Sequence, residues 1–241
     1  MLRALLDGLL HLVYPATCFG CGSLLPAPEH DFCHACRAHL LADPHPACPR
    51  CGTTIGPFVQ TEDGCPSCRR AEFAFTAVYR LGPYEGLRRD LILRMKYAAG
   101  EMVAEAVADL LASQLAPRLR DARPSVVIPI PLHWFRRLGR GYNQSEVLAR
   151  SLARQLSLPC HPNWLRRIRN TPRQTQQSPT GRRANIRGAF SARASPHLRG
   201  QTVLLVDDVL TTGSTCSEAA RALRQAGAAG VLVAVIAHSA S

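Results

Sequence analysis

Residues 203–220 read VLLVDDVLTTGSTCSEAA. Four apolar residues run into adjacent carboxylates, Asp207 and Asp208, and a short polar loop, Thr211-Thr212-Gly213-Ser214-Thr215, opens onto an alanine-rich segment. The pattern predicts a buried strand over 203–206 and a helix over about 215–226 that Gly227 ends. Neighbouring carboxylates repel, so a pair at the end of a buried strand calls for a ligand, a metal or ample solvent. In a parallel sheet, ligands bind beyond the carboxyl ends of the strands. The loop supplies hydroxyls and closely spaced backbone N–H groups, and the helix adds its positive end, which together make a phosphate cradle. Thr215-x-x-Glu218 also fits a capping box. A phosphate cradle beside paired carboxylates points to a sugar phosphate, with the loop on the phosphate and the aspartates on vicinal hydroxyls.

Other readings of the same letters fare worse. A Walker A loop requires G-x-x-x-x-G-K-[ST], and this loop has no lysine. LLVDD resembles a Walker B strand, but without the A loop it has no nucleotide to serve. A purely structural strand leaves the repulsion unexplained.

Working outward, the rest of the C-terminal part alternates between strand and helix. FTAVYRL (75–81) reads as a strand broken by Gly82-Pro83. Residues 84–98 and 101–116 have helical spacing of apolar residues, SVVIPI (125–130) is a buried strand, and 145–156 is a helix. Two strands near WLRRIR and RGAFSA flank a long polar loop, and 231–237 is the last strand. Such alternation predicts an α/β fold, a mainly parallel sheet flanked by helices.

Before it lies a small cysteine-rich domain. Eight of the ten cysteines form four C-x-x-C pairs, Cys18/Cys21, Cys33/Cys36, Cys48/Cys51 and Cys65/Cys68. Each pair bends so that both sulfurs reach one ion, and two pairs complete a tetrahedral four-thiolate site. Two structural zinc sites follow, zinc being favoured over an iron–sulfur cluster by the regular paired knuckles. Sequential pairing is preferred, with a cross-braced arrangement as the alternative. Gly22 and Gly52, each after a second cysteine, supply backbone freedom. The domains are expected at 1–70, with a short N-terminal helix and a double zinc ribbon, and at 71–241.

The opening MLRALLDGLLHLVYP is interrupted by Asp7 and His11, and no small-residue cleavage site follows, so a cytoplasmic protein without a transmembrane span is expected. The formal net charge of +12 is uneven: eleven arginines and no acidic residue lie between Glu146 and Asp207. Such a field attracts polyanions, whether nucleic acid or polyphosphates. Lys96 is the only lysine in the chain. In WFRRLGRGYNQS (134–145), Trp134, Phe135 and Tyr142 alternate with Arg136, Arg137 and Arg140. That mixture suits base stacking on single-stranded nucleic acid, and equally a core-facing set of aromatics with arginines turned to pyrophosphate.

VLLVDDVLTTGST closely resembles the ribose-phosphate signature of type I phosphoribosyltransferases. VIPIPLHWFRRLGRGYNQSEVLARSLA (127–153), RRIRNTPRQTQQSPTGRRANIRGAF (166–190) and the cysteine knuckles are similar to the ComF family, a group linked to natural competence. The resemblance implies that Asp207 and Asp208 hold the ribose 2- and 3-hydroxyls of phosphoribosyl pyrophosphate with Mg²⁺ nearby, and that Thr211, Thr212, Gly213, Ser214 and Thr215 wrap the 5-phosphate. It places a pyrophosphate loop at Pro131, Leu132 and His133, and a lid near 169–186 whose Arg173, Arg182 and Arg183 meet pyrophosphate. A base-selecting hood is expected within 75–120. Two functions follow: a binding protein that handles incoming single-stranded DNA with the DNA-uptake machinery, or an active phosphoribosyltransferase of nucleotide metabolism with no DNA role.

Overall fold

A computed structural model of the chain describes residues 16–26, 30–132, 139–169, 186–193 and 195–239. The N-terminal helix expected before residue 16 lies outside them. The cysteine-rich part consists of two ribbon hairpins of the same design. In the first, Cys18 N–H donates to the Ser23 carbonyl at 2.8 Å and Thr17 bridges Leu24. In the second, Cys48 N–H donates to Thr53 at 2.9 Å and Ala47 bridges Thr54. Gly22 and Gly52 turn the knuckles at φ +76° and +78°, the left-handed region that side chains resist. Helix α1 (His34–Leu41) completes the first ribbon, with the Cys33 sulfur accepting from Cys36 N–H at its start.

The larger part is a four-stranded, all-parallel sheet in the order β1 (Ala77–Pro83), β6 (Gly230–His238), β5 (Thr202–Leu210), β2 (Val126–Pro129). Between β1 and β2 run α2 (Gly86–Arg94), a 3₁₀ turn (Ala98–Gly100) and α3 (Glu101–Ala122). Helix α4 (Gln144–Leu156) follows β2, and α5 (Ser214–Gln225) links β5 to β6. A short antiparallel pair, β3 (Leu165–Arg167) and β4 (Phe190–Ala192), stands apart from the sheet, as the sequence around WLRRIR and RGAFSA suggested.

Alternation along the strands divides the core. Leu204 and Val206 of β5 point to α3 and α4, while Val203 and Leu205 point to α5 and the small β3–β4 pair. The helices that follow the adjacent strands β2 and β5 therefore cover opposite faces. An arrangement of this kind is where ligand crevices form in parallel sheets, at the carboxyl ends of the two strands.

Several sequence boundaries move for physical reasons. β5 continues through Asp207 and Asp208 to Leu210, because β6 pairs with it as far as His238. Its pairing with β2 stops at Val206, so the carboxylates are flanked on one side only. α3 runs through Pro117 to Ala122, carried by the fully buried Leu119. Residues 75–120 are no separate hood: β1 is an edge strand of the sheet, and α3 covers one of its faces against α4.

The two parts share a buried junction. Arg88 of α2 is 4% exposed and donates to the carbonyls of Leu40, at 3.0 Å, and Ala42. It thereby satisfies carbonyls that the end of α1 leaves open. Arg80 of β1 reaches Thr54 at 2.8 Å and Asp43 at 3.2 Å. Burial pulls the proton affinity of both guanidiniums down, with Asp43 opposing it. Removing the cap should be felt throughout: Arg88→Ala is expected to lower unfolding free energy by about 2–3 kcal/mol, read from the denaturant midpoint at constant m-value.

Candidate functional site

The crevice holds the two carboxylates on opposite faces of β5. Asp207 Oδ1 accepts from Ser145 Oγ at 2.9 Å and from the backbone N–H of Asp208 at 2.9 Å. Asp208 Oδ2 accepts from Gln144 Nε2 at 3.2 Å and lies 3.4 Å from Lys96 Nζ, while its Oδ1 accepts from Val209 N–H at 2.8 Å. Burial, and then the charge of Asp208, push the Asp207 carboxyl up to about 7. The hydrogen bonds from Asp208 N–H and Ser145, and the charge of Lys96, act the other way.

The start of α4 delivers two of these donors. Asn143 caps the helix, its side-chain oxygen accepting from Ser145 N–H at 3.2 Å. Its amide donates to the Ile130 carbonyl at 3.1 Å and so closes the loop between β2 and α4. Arg140 donates to Gln144 Oε1 at 3.0 Å, which leaves the Gln144 amide turned to Asp208. Tyr142 is buried in the core and donates to the Met95 carbonyl. Of the two readings of 134–145, Tyr142 thus takes the core-facing one.

The loop after β5 turns tightly. Gly213 has φ +72°, and a Cβ there would lie 3.0 Å from Phe73 Cε1 and 3.4 Å from Phe75 Cζ. Only glycine meets both conditions. Phe73 and Phe75 stack with centroids 4.6 Å apart, and Ala74 N–H donates to Ser217 Oγ at 3.1 Å, so the segment leaving the second ribbon underpins this loop. Thr212 Oγ1 and Ser214 Oγ are 2.8 Å apart, and Thr211 and Thr215 are half-buried beside them. The capping box at Thr215 and Glu218 is not formed. The helix starts one residue earlier, with Gly213 at the cap, and Glu218 accepts instead from Gly188 N–H at 2.7 Å and from Arg221 at 3.0 Å.

The fold thus gathers Asp207, Asp208 and the 211–215 loop at one end of the sheet, with Pro131 and Leu132 half-buried beyond β2. His133, Trp134, Phe135, Arg136, Arg137, Arg173, Arg182 and Arg183 lie outside the described residues. Lys96, Gln144 and Ser145 were missed as site residues. The signal for Lys96 was its being the chain's one lysine among many arginines; Gln144 and Ser145 carried none, since their role depends on where α4 begins. An open groove of about 1030 Å³ lies over α3 and α4, lined by Glu105, Asp109, Arg150 and Arg154; neither Asp207 nor Asp208 lines it.

The cysteines group in sequence order: Cys18, Cys21, Cys33 and Cys36 in one cluster, Cys48, Cys51, Cys65 and Cys68 in the other. A tetrahedral ion with Zn–S bonds of about 2.3 Å needs sulfurs about 3.8 Å apart. The clusters provide 3.8 Å for Cys21–Cys33, 3.8 Å for Cys48–Cys68 and 3.6 Å for Cys51–Cys65. Backbone N–H groups of Gly20 and Cys33 point at the Cys18 sulfur from 3.3 Å, an arrangement that stabilises a metal-bound thiolate. Both clusters fit structural zinc.

Comparison with known proteins agrees with this geometry. Residues 9–71 match the double zinc ribbon domain, and residues 143–241 match the phosphoribosyl transferase domain. Competence protein F of Haemophilus influenzae is 33% identical over 217 residues, covering 87% of this chain and 91% of that protein. The chain belongs to the ComF family. Another ComF-family relative, DNA utilization protein YhgH of Escherichia coli K12, is 29% identical, covering 92% and 96% of the two chains. Among solved structures, glutamine phosphoribosylpyrophosphate amidotransferase of B. subtilis matches 55% of this chain and 26% of its own, at 26% identity and a TM-score of 0.39. The ComF-family fold here is the type I phosphoribosyltransferase sheet with an N-terminal double zinc ribbon. Among the described residues, no helix is long and apolar enough to cross a membrane.

Two measurements check the site's chemistry. Elemental analysis of the reduced protein should find about two zinc ions per chain, in line with the two clusters. The raised Asp207 carboxyl means that the native state holds a proton which the unfolded chain, at 3.8, has released. Its stabilising contribution is complete below the unfolded value and is lost as pH rises through about 7. Denaturant titrations at pH 6 and pH 8 should therefore show wild type losing stability relative to Asp207→Asn.

Proposed function

We propose that this protein binds phosphoribosyl pyrophosphate with Mg²⁺ in the crevice between β2 and β5, and that the site serves the handling of incoming single-stranded DNA in the cytoplasm during natural transformation. One observation carries the first part. A carboxylate pair, Asp208 buried and Asp207 half-buried, stands next to a glycine-bent hydroxyl loop at the carboxyl end of a parallel sheet. The match of residues 143–241 to the phosphoribosyl transferase domain supports it, since that span includes Gln144, Ser145, both aspartates and the loop.

In this reading Asp207 and Asp208 accept from the vicinal ribose hydroxyls. Thr211 to Thr215 surround the 5-phosphate, aided by the positive end of α5. Pro131, Leu132 and His133 face the pyrophosphate, and Arg173, Arg182 and Arg183 belong to a lid over it. Mg²⁺ is a hard cation suited to the oxygens of the diphosphate and of the aspartates, and when bound it supplies positive charge against a departing pyrophosphate. Lys96 supplies the protein's own positive charge at Asp208.

The DNA role draws on the relatives' names, competence protein and DNA utilization protein, and on charge. Arg166 is exposed on the β3–β4 pair, Arg169 and Arg187 beyond one end and Arg193 beyond the other, with Ile168 61% exposed next to Arg169. Such a face can grip a phosphate backbone and meet base surfaces, with or without partner proteins of DNA uptake.

Calorimetric titration with phosphoribosyl pyrophosphate and Mg²⁺ tests the pocket: the double variant Asp207→Asn with Asp208→Asn should bind at least about tenfold more weakly. Unchanged affinity would make the pocket assignment wrong. Fluorescence titration with single-stranded DNA should show affinity falling steeply as salt rises; no binding even at low salt removes the DNA role.

A further inference from the structure

Lys96 reaches Asp208 from outside the sheet, on the short segment that follows α2. α2 touches the first zinc ribbon along its length. Near its start, Leu87 packs on the first knuckle, where a Cβ on Gly20 would lie 3.3 Å from Leu87 Cδ2. Next to it, Arg88 caps the carbonyl end of α1. At its end, Arg94 donates to the carbonyl of Phe19, which lies between the zinc-site residues Cys18 and Cys21. The chain then turns so closely that a Cβ on Gly100 would stand 2.2 Å from the Arg94 carbonyl oxygen. Within that turn Met95 is fully buried and accepts from Tyr142, and Lys96 meets Asp208 at 3.4 Å.

The second ribbon docks elsewhere. Its Pro49 carbonyl accepts from Val78 N–H at 2.9 Å, and Thr53 meets His238 at 3.3 Å, both at the β1–β6 edge. The first cluster also differs in exposure: Cys21 is exposed, whereas Cys48, Cys51, Cys65 and Cys68 are all buried.

We infer that the first zinc ribbon, through Arg94 and α2, positions Lys96 against Asp208, and that Arg94 is a positioning residue for the site. The consequence for ligand affinity rests on the sugar-phosphate reading above; the placement of Lys96 does not. Because its cluster carries the exposed cysteine, the first ribbon is the one from which a chelator takes zinc first, and that loss reaches the pocket.

The chain's single lysine makes the test specific, because the acetylation rate of its ε-amine can be followed on one peptide by mass spectrometry. An amine held 3.4 Å from a carboxylate, on a side chain only 32% exposed, is less open to the reagent than one released to solvent. Arg94→Ala, with zinc content and melting curve matching wild type, is expected to acetylate at Lys96 about threefold faster or more. Asp208→Asn sets the scale of full release, and Arg94→Lys should restore most of the protection. Cys21→Ser, or brief chelation that removes one zinc, should act like Arg94→Ala. A wild-type rate in Arg94→Ala, while Asp208→Asn accelerates labelling, overturns the inference. Arg94→Ala should also weaken binding of phosphoribosyl pyrophosphate with Mg²⁺ about threefold to tenfold. Faster labelling in a protein whose wild type binds no phosphoribosyl pyrophosphate upholds the positioning of Lys96 and defeats the pocket reading instead.

Discussion

Two adjacent carboxylates at the edge of a parallel sheet repel each other, and the surroundings of β5 are arranged around that repulsion. Asp207 and Asp208 follow one another on the strand, where successive side chains leave on opposite faces. Both draw a side-chain donor from the start of α4, Ser145 for Asp207 and Gln144 for Asp208, with Lys96 added at Asp208 and a backbone N–H group for each. The start of α4 and the end of α2 must therefore converge on one point. Tyr142 ties them together, donating from just before α4 to the carbonyl of Met95 just after α2.

That convergence explains why the cysteine-rich part cannot be a loose appendage. A guanidinium in a protein interior is costly unless its donors are met. Arg88 meets the carbonyl end of α1, and Arg80 uses one nitrogen, Nη2, on Thr54 and Asp43 while its buried Nε and Nη1 stay without a hydrogen-bond partner among the described residues; the acceptors both buried arginines do find lie in the ribbon domain. Phe73 works in the same sense from the second ribbon, packing beside its cysteines and against the one glycine that the phosphate-type loop cannot exchange. The metal sites thus order loops whose far sides form the crevice. Structural zinc here stabilises more than its own knuckles, because too few apolar residues surround the cysteines for the ribbons to hold a core alone.

Much of this was legible in the sequence, for identifiable reasons. Strong periodicity located every strand of the main sheet and the helices α3, α4 and α5, and C-x-x-C spacing led to the sequential cysteine clusters. The stretch 203–220 gave away the strand, the carboxylates and the turn because each uses a local rule. What stayed hidden depends on partners distant in sequence. β5 outlasts its apolar run since β6 pairs with it to the end. Glu218 abandons the capping box and accepts instead from the exposed Gly188 N–H, a donor far away in sequence. Lys96 comes within ion-pair distance of Asp208 only because α2 is docked on the first ribbon, which no pattern within residues 84–98 encodes.

The carboxylate pair is a poor choice for stability alone. An apolar pair at 207 and 208 would extend the run of Val203 to Val206 and would need neither Lys96 nor the buried polar start of α4. Asp207 holds its proton to about pH 7, which shows how little the unliganded fold favours its charge. A sequence that breaks its own hydrophobic pattern at such a point, and then recruits a lysine, a glutamine and a serine to sustain the break, is specifying a site rather than a core. Any ligand that brings hydroxyl donors or positive charge into the crevice favours the ionised pair, and so relieves in the complex the strain that the free protein carries.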